Sequence, residues 1–265
     1  MRRVPLWMVV LASCCVSVTA VRAQGAPATG VDLLRRMHDS YAGRWFTTLI
    51  FTQTTTRHRA DGSDTVSTWY ESLQQRDSSD TALRIDVGDP AEGNGVLYTA
   101  DSLWVFRGGH LAAARAGGNE LLPLIEGVYL QPVTRTVAEL GSTHLDFGRP
   151  VLAGRWNGRP VWIAGAASAA DTTSPQIWVD VDRLAVVRAI LVPAPSAPAM
   201  DVRLDSLVPL AGGWLATRCE FYVGGKLVQR EEYHDWAANV SLAAGLFDPA
   251  LFATAPHWAH KSHGS

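Results

Sequence analysis

The feature that most constrains this chain is a long series of short β-prone segments, each ended by Gly, Pro, Asp or Asn. The cleanest is Met200–Val208, where Met200, Val202, Leu204 and Val208 are apolar and Asp201, Arg203 and Asp205 are charged. A strand with one dry and one wet face requires that alternation. The series begins at Trp45–Arg57, with Leu49, Phe51 and Gln53 on one side and Ile50, Thr52 and Thr54 on the other. Thr65–Arg76 and Ala82–Val87 follow, and Val96–Thr99 and Leu103–Phe106 read as a hairpin around Ala100-Asp101-Ser102. His144–Leu152, Pro160–Ala164, Gln176–Asp180 and Leu184–Val192 continue the pattern. Trp214–Val223 and Lys226–Trp236 flank Gly224-Gly225, the residues a type I′ hairpin turn needs. About eleven strands joined mostly by short loops make an antiparallel sheet, and so many must curl.

Two stretches change period. Thr29-Gly30-Val31-Asp32 is a capping-box pattern, and Leu33, Leu34, Met37 and Tyr41 then recur at helical spacing, with Arg35, Arg36 and Asp39 on the wet side. After the small-residue passage His110–Gly118, Asn119 can cap a second helix whose apolar face is Leu121, Leu124, Ile125 and Val128. Gln131–Gly141 extends it, with Val133, Val137 and Leu140 on one side. A short helix with a wide apolar face, hung between flexible segments beside a sheet, is suited to cover something apolar. The expected fold is α+β and mostly antiparallel β: a single strongly curved sheet, an unclosed barrel, with helices over its concave side. No linker divides it, so one domain spans 24–256, between a leader at 1–23 and a loose tail at 257–265.

The leader has a positive start (Arg2, Arg3), the uncharged apolar run Val4–Ala20, and a small-residue site at Val21-Arg22-Ala23, so a signal peptide cut after Ala23 is expected. A rival reading is the lipobox-like Leu11-Ala12-Ser13-Cys14, which would make Cys14 a lipid-anchored first residue. Removal of the leader would take Cys14 and Cys15 with it and leave Cys219, which cannot form an intramolecular disulfide. Cys219 lies in an apolar alternating run, the setting of a buried and inert thiol. The net charge of −2, with both signs mixed along the chain, argues against nucleic acid as a partner.

No catalytic constellation is legible. His38-Asp39-Ser40 has triad residue types, but neighbours along a helix do not face one another. His144 and Asp146 share a strand parity, yet no G-x-S-x-G elbow is present. Asp180 and Asp182 fall in a turn, where a solvated pair is the default. His257, His260 and His263 are spaced like metal ligands, but in a terminal tail, so no metal and no cofactor is expected. Ten tryptophans suit the core of a large β-rich domain.

The order of elements resembles the LolA/LolB-type carriers that sort lipoproteins to the bacterial outer membrane. The matching stretches are Phe46–Gln53 ("FTTLIFTQ"), Trp69–Arg84, Gly95–Phe106 ("GVLYTADSLWVF") leading to "NELLPLI", Ile177-Trp178-Val179-Asp180 and the closing "LFDPALF". The resemblance implies a periplasmic, non-enzymatic monomer whose apolar cavity binds the acyl chains of a lipoprotein or lipid under a helical lid. It would exchange cargo with an inner-membrane donor and an outer-membrane acceptor. The inward residues are then Trp69, Leu73, Leu83, Ile85, Leu97, Trp104 and Phe106, with Leu121, Leu124 and Ile125 from the lid. The family's arginine latch on an early strand would fall to Arg76 or Arg84, although Asp77 follows Arg76 where the family has proline. An envelope sensor or scaffold module of the same fold, or an anchored acceptor lipidated at Cys14, fits the same resemblance. A carrier must also release its cargo. Full burial of one acyl chain is worth on the order of 12 kcal/mol, and two or three chains would exceed the practical ceiling near 20 kcal/mol. Lid residues that fill the empty cavity would offset part of that.

Overall fold

The computed structural model describes residues 25–77, 80–99, 101–192 and 197–259. The chain opens with α1 (Gly30–Tyr41), capped by the expected box: the Asp32 amide donates to Thr29 Oγ1 at 3.2 Å and the Thr29 amide to Asp32 Oδ2 at 3.1 Å. Six strands follow: β1 (Thr48–His58), β2 (Asp64–Asp77), β3 (Asp80–Val87), β4 (Gly95–Tyr98), β5 (Ser102–Arg107) and β6 (His110–Ala116). A helical segment holds α2 (Val128–Leu130) and α3 (Val133–Glu139). Seven more strands complete the domain: β7 (Leu152–Trp156), β8 (Arg159–Ala164), β9 (Gln176–Asp180), β10 (Val186–Leu191), β11 (Met200–Leu210), β12 (Gly213–Val223) and β13 (Lys226–Ala238).

All thirteen strands form one antiparallel sheet in the order β6-β5-β4-β3-β2-β1-β13-β12-β11-β10-β9-β8-β7. Two meanders therefore meet where β1 pairs β13, and the sheet ends at β6 and β7, which do not pair. The chain passes from one of these edges to the other through 117–151, so the helical segment has to cross the open side. One core takes residues from α1 (Leu33, Leu34, Met37), from the crossing segment (Leu122, Leu124, Val128, Tyr129) and from strands of both meanders. A sheet that packs strands of both meanders, by one face, against the same helices is curved around them. The result is the expected unclosed barrel with helices on its concave side.

Two expectations fail locally. His110–Ala116 is an edge strand, although its sequence shows no strand pattern: all seven residues are exposed, so nothing selects apolar alternation there. Conversely, the expected strand His144–Leu152 is absent up to Val151, and only its last residue, Leu152, enters β7. The stretch runs beside the start of α1, with the Val31 amide on the Phe147 carbonyl at 3.2 Å, the Val151 amide on the Ala28 carbonyl at 3.2 Å, and a bridge between Thr29 and Pro150. Its apolar residue Phe147 is buried by packing on α1 rather than by sheet pairing.

The convex face is not bare. Leu246, Phe247 and Phe252 from the closing "LFDPALF" stretch form a second core with Ala82, Leu97 and Phe106. Phe252 stacks on Phe106 with centroids 4.0 Å apart. Gly95 permits this closeness, since a Cβ there would stand 2.1 Å from the Ile85 carbonyl oxygen and 3.0 Å from the Phe252 ring. The strap continues into the predicted loose tail, which is a correction: His257 and Ala259 are buried, and Trp258 Nε1 donates to Ser72 Oγ at 2.8 Å. His260 and His263, the other two members of the proposed metal spacing, lie outside the described residues. Among the described residues no group of three His, Cys, Asp or Glu is placed to hold a metal ion. No described helix is long and apolar enough to cross a membrane.

Candidate functional site

The crossing segment seals the barrel's interior. Asn119 starts it as expected, its Oδ1 accepting from the amides of Leu121 and Leu122 at 2.9 and 3.3 Å. The turn Pro123–Gly127 is wider than an α-helix, with the Val128 amide reaching back five residues to the Pro123 carbonyl. Such wide turns concentrate at functional positions. Pro132 then separates α2 from α3, because the residue before a proline is pushed out of the helical region; Gln131 is extended, at φ −119 and ψ 160. The cover is thus several short helical pieces with breaks between them.

A few contacts hold it down. Tyr129 stacks on Trp45, centroids 3.7 Å apart, and its hydroxyl donates to the Leu184 carbonyl at 2.9 Å. Trp45 Nε1 donates to Glu126 Oε2 at 2.6 Å, and the Val128 carbonyl lies 3.3 Å from His38 Nδ1. Outside, Arg135 pairs with Glu139 at 2.7 Å and with the exposed Asp101 at 3.4 Å.

Beneath the cover is an inner cavity of about 80 Å³, lined by Leu49, Phe51, Leu73, Leu83, Leu204 and Leu215 from the sheet and by Leu122, Ile125, Glu126 and Tyr129 from the cover. A larger vestibule of about 650 Å³ opens between the β3–β6 region and the cover, walled by Thr99, Gly117, Gly118, Gln131 and Arg135 among others. Leu122 belongs to both walls and stands between the two spaces. Small-molecule pockets run from about 300 to 1,000 Å³, so the inner space as it stands is too small for a ligand and the vestibule is not.

The inner cavity has charged residue types of one sign only. Glu71 and Glu126 line it, and Glu231 is buried on the neighbouring part of the same face. Burial pushes the Glu71 carboxyl well above the usual carboxylate range, and the nearby Glu231 adds to that. Burial likewise raises Glu126 well above it, against the opposing Trp45 hydrogen bond. Glu231 is also raised by burial, although Tyr233 and Gln229 donate to it at 2.9 and 2.6 Å. Cys219 is buried, and burial pushes its thiol well up as well.

Of the residues expected to face inward, Leu73, Leu83 and Ile125 line the cavity, while Trp69, Ile85, Leu121 and Leu124 pack in the surrounding core. Leu97, Trp104 and Phe106 are a correction: they lie on the convex face under the strap. The register explains it. Leu83 pairs with Tyr98 and Ile85 with Val96, and paired residues share a face, so Leu97 points the other way. Leu97 in turn pairs with Trp104, and Gly95 with Phe106.

Among the described residues, neither latch candidate contacts the cover. Arg76 pairs with Asp80 across the end of the β2–β3 hairpin. Arg84 is buried on the convex face, where it holds the strap instead: it donates to Asp86 at 2.8 and 2.7 Å and to the carbonyls of Leu246 and Phe252 at 3.2 and 2.8 Å. The Trp45–Glu126–Tyr129 fastening is not legible in the sequence: the strand pattern takes in Trp45, whereas β1 begins at Thr48 and leaves Trp45 ahead of it, against the cover. Asp180, expected in a solvated turn, is buried and paired with Arg159 at 2.6 Å.

Fold and site together define a class: an open antiparallel barrel whose apolar interior is shut by a segmented cover spanning its two edges. Solved structures share that architecture. A domain named for outer membrane lipoprotein sorting, from Vibrio parahaemolyticus, superposes with a TM-score of 0.61 at 10% identity, covering 84% of this chain and 98% of that one. A DUF1329 family protein from Desulfovibrio piger gives 0.56 at 15% identity over 83% and 95% of the two chains. A LolA superfamily protein from Nitrosomonas europaea gives 0.50 at 12% over 83% and 97%. At these identities the likeness establishes the fold, which is LolA-like over nearly the whole described chain. No protein-family model matches the sequence, and no curated protein matches it.

Proposed function

We propose that this chain is an exported, non-enzymatic carrier that takes the acyl chain of a lipid or lipoprotein beneath its cover. The observation that carries this reading is the pairing of the two spaces: a roomy vestibule separated by Leu122 from an apolar interior that the cover's own side chains occupy. Displacement of Leu122, Ile125 and Tyr129 would join the two spaces, and the displaced contacts would offset part of the roughly 0.8 kcal/mol gained per buried methylene. That keeps binding reversible. The likeness to a domain named for outer membrane lipoprotein sorting supports the same reading. Transit through the periplasm follows from the leader, and mass spectrometry of the mature amino terminus tests whether it begins after Ala23 or at a lipidated Cys14.

Replacing Leu124 and Ile125 together with aspartate is expected to abolish uptake of a fluorescent fatty-acyl probe while the β-sheet circular dichroism signal persists. Two charges cannot re-enter the apolar interior without a large desolvation penalty. Full uptake by this variant would remove the cover from the mechanism.

A further inference from the structure

Glu71 is the anomaly of the interior. The residue is 8% exposed, lines the inner cavity from the middle of β2, and makes no hydrogen bond or ion pair among the described residues. Buried carboxyls are normally paired. Beside it on the same face, Gln53 is fully buried; its Nε2 donates to Thr55 Oγ1 at 2.7 Å and its Oε1 meets no donor. The side chains whose electrostatics reach Glu71 are Glu231, Tyr98, Tyr233 and Cys219, none of them a cation. The described lining of the cavity includes no Lys, Arg or His. An apolar cavity that holds an unpartnered carboxyl, with an unpartnered amide oxygen beside it and no cationic side chain in its described lining, lacks a partner that a ligand can bring.

We propose that the inner cavity is built for an aliphatic amine, an amphiphile whose hydrocarbon displaces the cover's side chains and whose ammonium group pairs with Glu71. This rests on the carrier reading and adds the chemistry of the cargo to it. A fatty acid is disfavoured in the same place, since its carboxylate would be buried with no counter-ion beside a carboxyl that burial keeps protonated, whereas an ammonium group pairs with the carboxylate that Glu71 becomes on releasing its proton. A neutral alcohol donates one hydrogen bond and stands between the two. Charge-assisted hydrogen bonds are about twice as strong as neutral ones, which sets the expected order.

The test is displacement of a bound fluorescent acyl probe from the full mature chain at neutral pH, by dodecylamine, dodecanol and dodecanoate in turn. Dodecylamine is expected to displace the probe at about tenfold lower concentration than dodecanol, and dodecanoate is expected to be the weakest. In Glu71→Gln, with the fold verified by circular dichroism, the amine's advantage is expected to vanish. Equal displacement by all three overturns this proposal and leaves the carrier reading standing. An amine preference that survives Glu71→Gln overturns it too, because the cation is then recognised elsewhere. Failure of the acyl probe to bind at all removes the carrier reading and this proposal together. The wild-type ranking alone decides the first two cases if the variant does not fold.

Discussion

Arg84→Ala is expected to lower the thermal midpoint by on the order of 10 °C. Arg84 and Asp86 form an ion pair with essentially no exposure, and removing one partner of such a pair costs about 3–5 kcal/mol, because the Asp86 carboxylate is left buried with only His257, at 3.2 Å, beside it. In a chain of this size each kcal/mol moves the midpoint by roughly 2–4 °C. The loss goes beyond the pair. Arg84 also satisfies the carbonyls of Leu246 and Phe252 and lies 4.0 Å from the Phe252 ring, so the strap loses its anchor. The double variant Arg84→Met, Asp86→Leu is expected to recover part of the stability, since the stranded carboxylate is gone while the two carbonyls stay unpaired. Differential scanning calorimetry of the wild type and both variants checks this. A single variant within about 2 °C of wild type would show that the strap is not held this way.

Stability should fall as pH rises above the ordinary carboxylate range, contrary to the usual plateau. Glu71 and Glu126 are held well above the ordinary carboxylate range by burial, and Glu231 above it, so the folded chain keeps protons that the unfolded chain has released near pH 4.3. Wherever the folded state binds more protons, raising the pH favours unfolding. Each group that still holds its proton contributes about 1.4 kcal/mol per pH unit to that decline, or roughly 3–5 °C in the midpoint. The acid side has the opposite sign. Burial opposes the ionisation of Asp86, but hydrogen bonds from Arg84 and His257 outweigh it and lower its pKa; Asp180 is lowered in the same way, chiefly by Arg159. Their contribution is complete above about pH 4 and is lost as the pH falls through their depressed values. The midpoint should therefore peak on the acid side of neutrality. The double variant Glu71→Gln, Glu126→Gln should flatten the alkaline limb and raise the midpoint at pH 8. Thermal scans from pH 5 to 8 measure both, and a midpoint constant across those scans in the wild type would contradict the buried-carboxyl account. The interior carboxyls then belong with the features proteins keep for function at a cost in stability.

Much of this architecture was legible in the residues. The capping box at Thr29, the alternation of Met200–Val208 and the Gly224-Gly225 turn, whose two residues have φ of 58 and 76, all appear where the pattern puts them. The Asn119 cap and the apolar face after it marked the cover from sequence alone. What could not be read was which face the short strands present. Val96-Leu97-Tyr98 and Leu103-Trp104-Val105-Phe106 are apolar at both parities, because the helices cover one side of the sheet and the strap covers the other. Period-two reasoning has no wet face to find there. Edge strand β6 failed for the opposite reason, being wet on both sides. Glu71 and Glu126 are not legible as site residues because each is a lone carboxyl, Glu126 within the apolar run Leu121–Leu130 and Glu71 between Tyr70 and Ser72, and pattern reasoning assigns a lone carboxyl to the wet side. Only the register, which sets Glu71 against Phe51 and Ile85, turns it inward.

The central claim is that the cover moves when cargo enters, and hydrogen exchange read peptide by peptide tests it most directly. With saturating acyl ligand, amides of 121–130 should exchange faster than in the empty protein, while α1 and the paired β1 and β13 keep their protection. If bound ligand leaves the cover as protected as before, or protects it further, the inner cavity is not reached by displacing it and the carrier account fails.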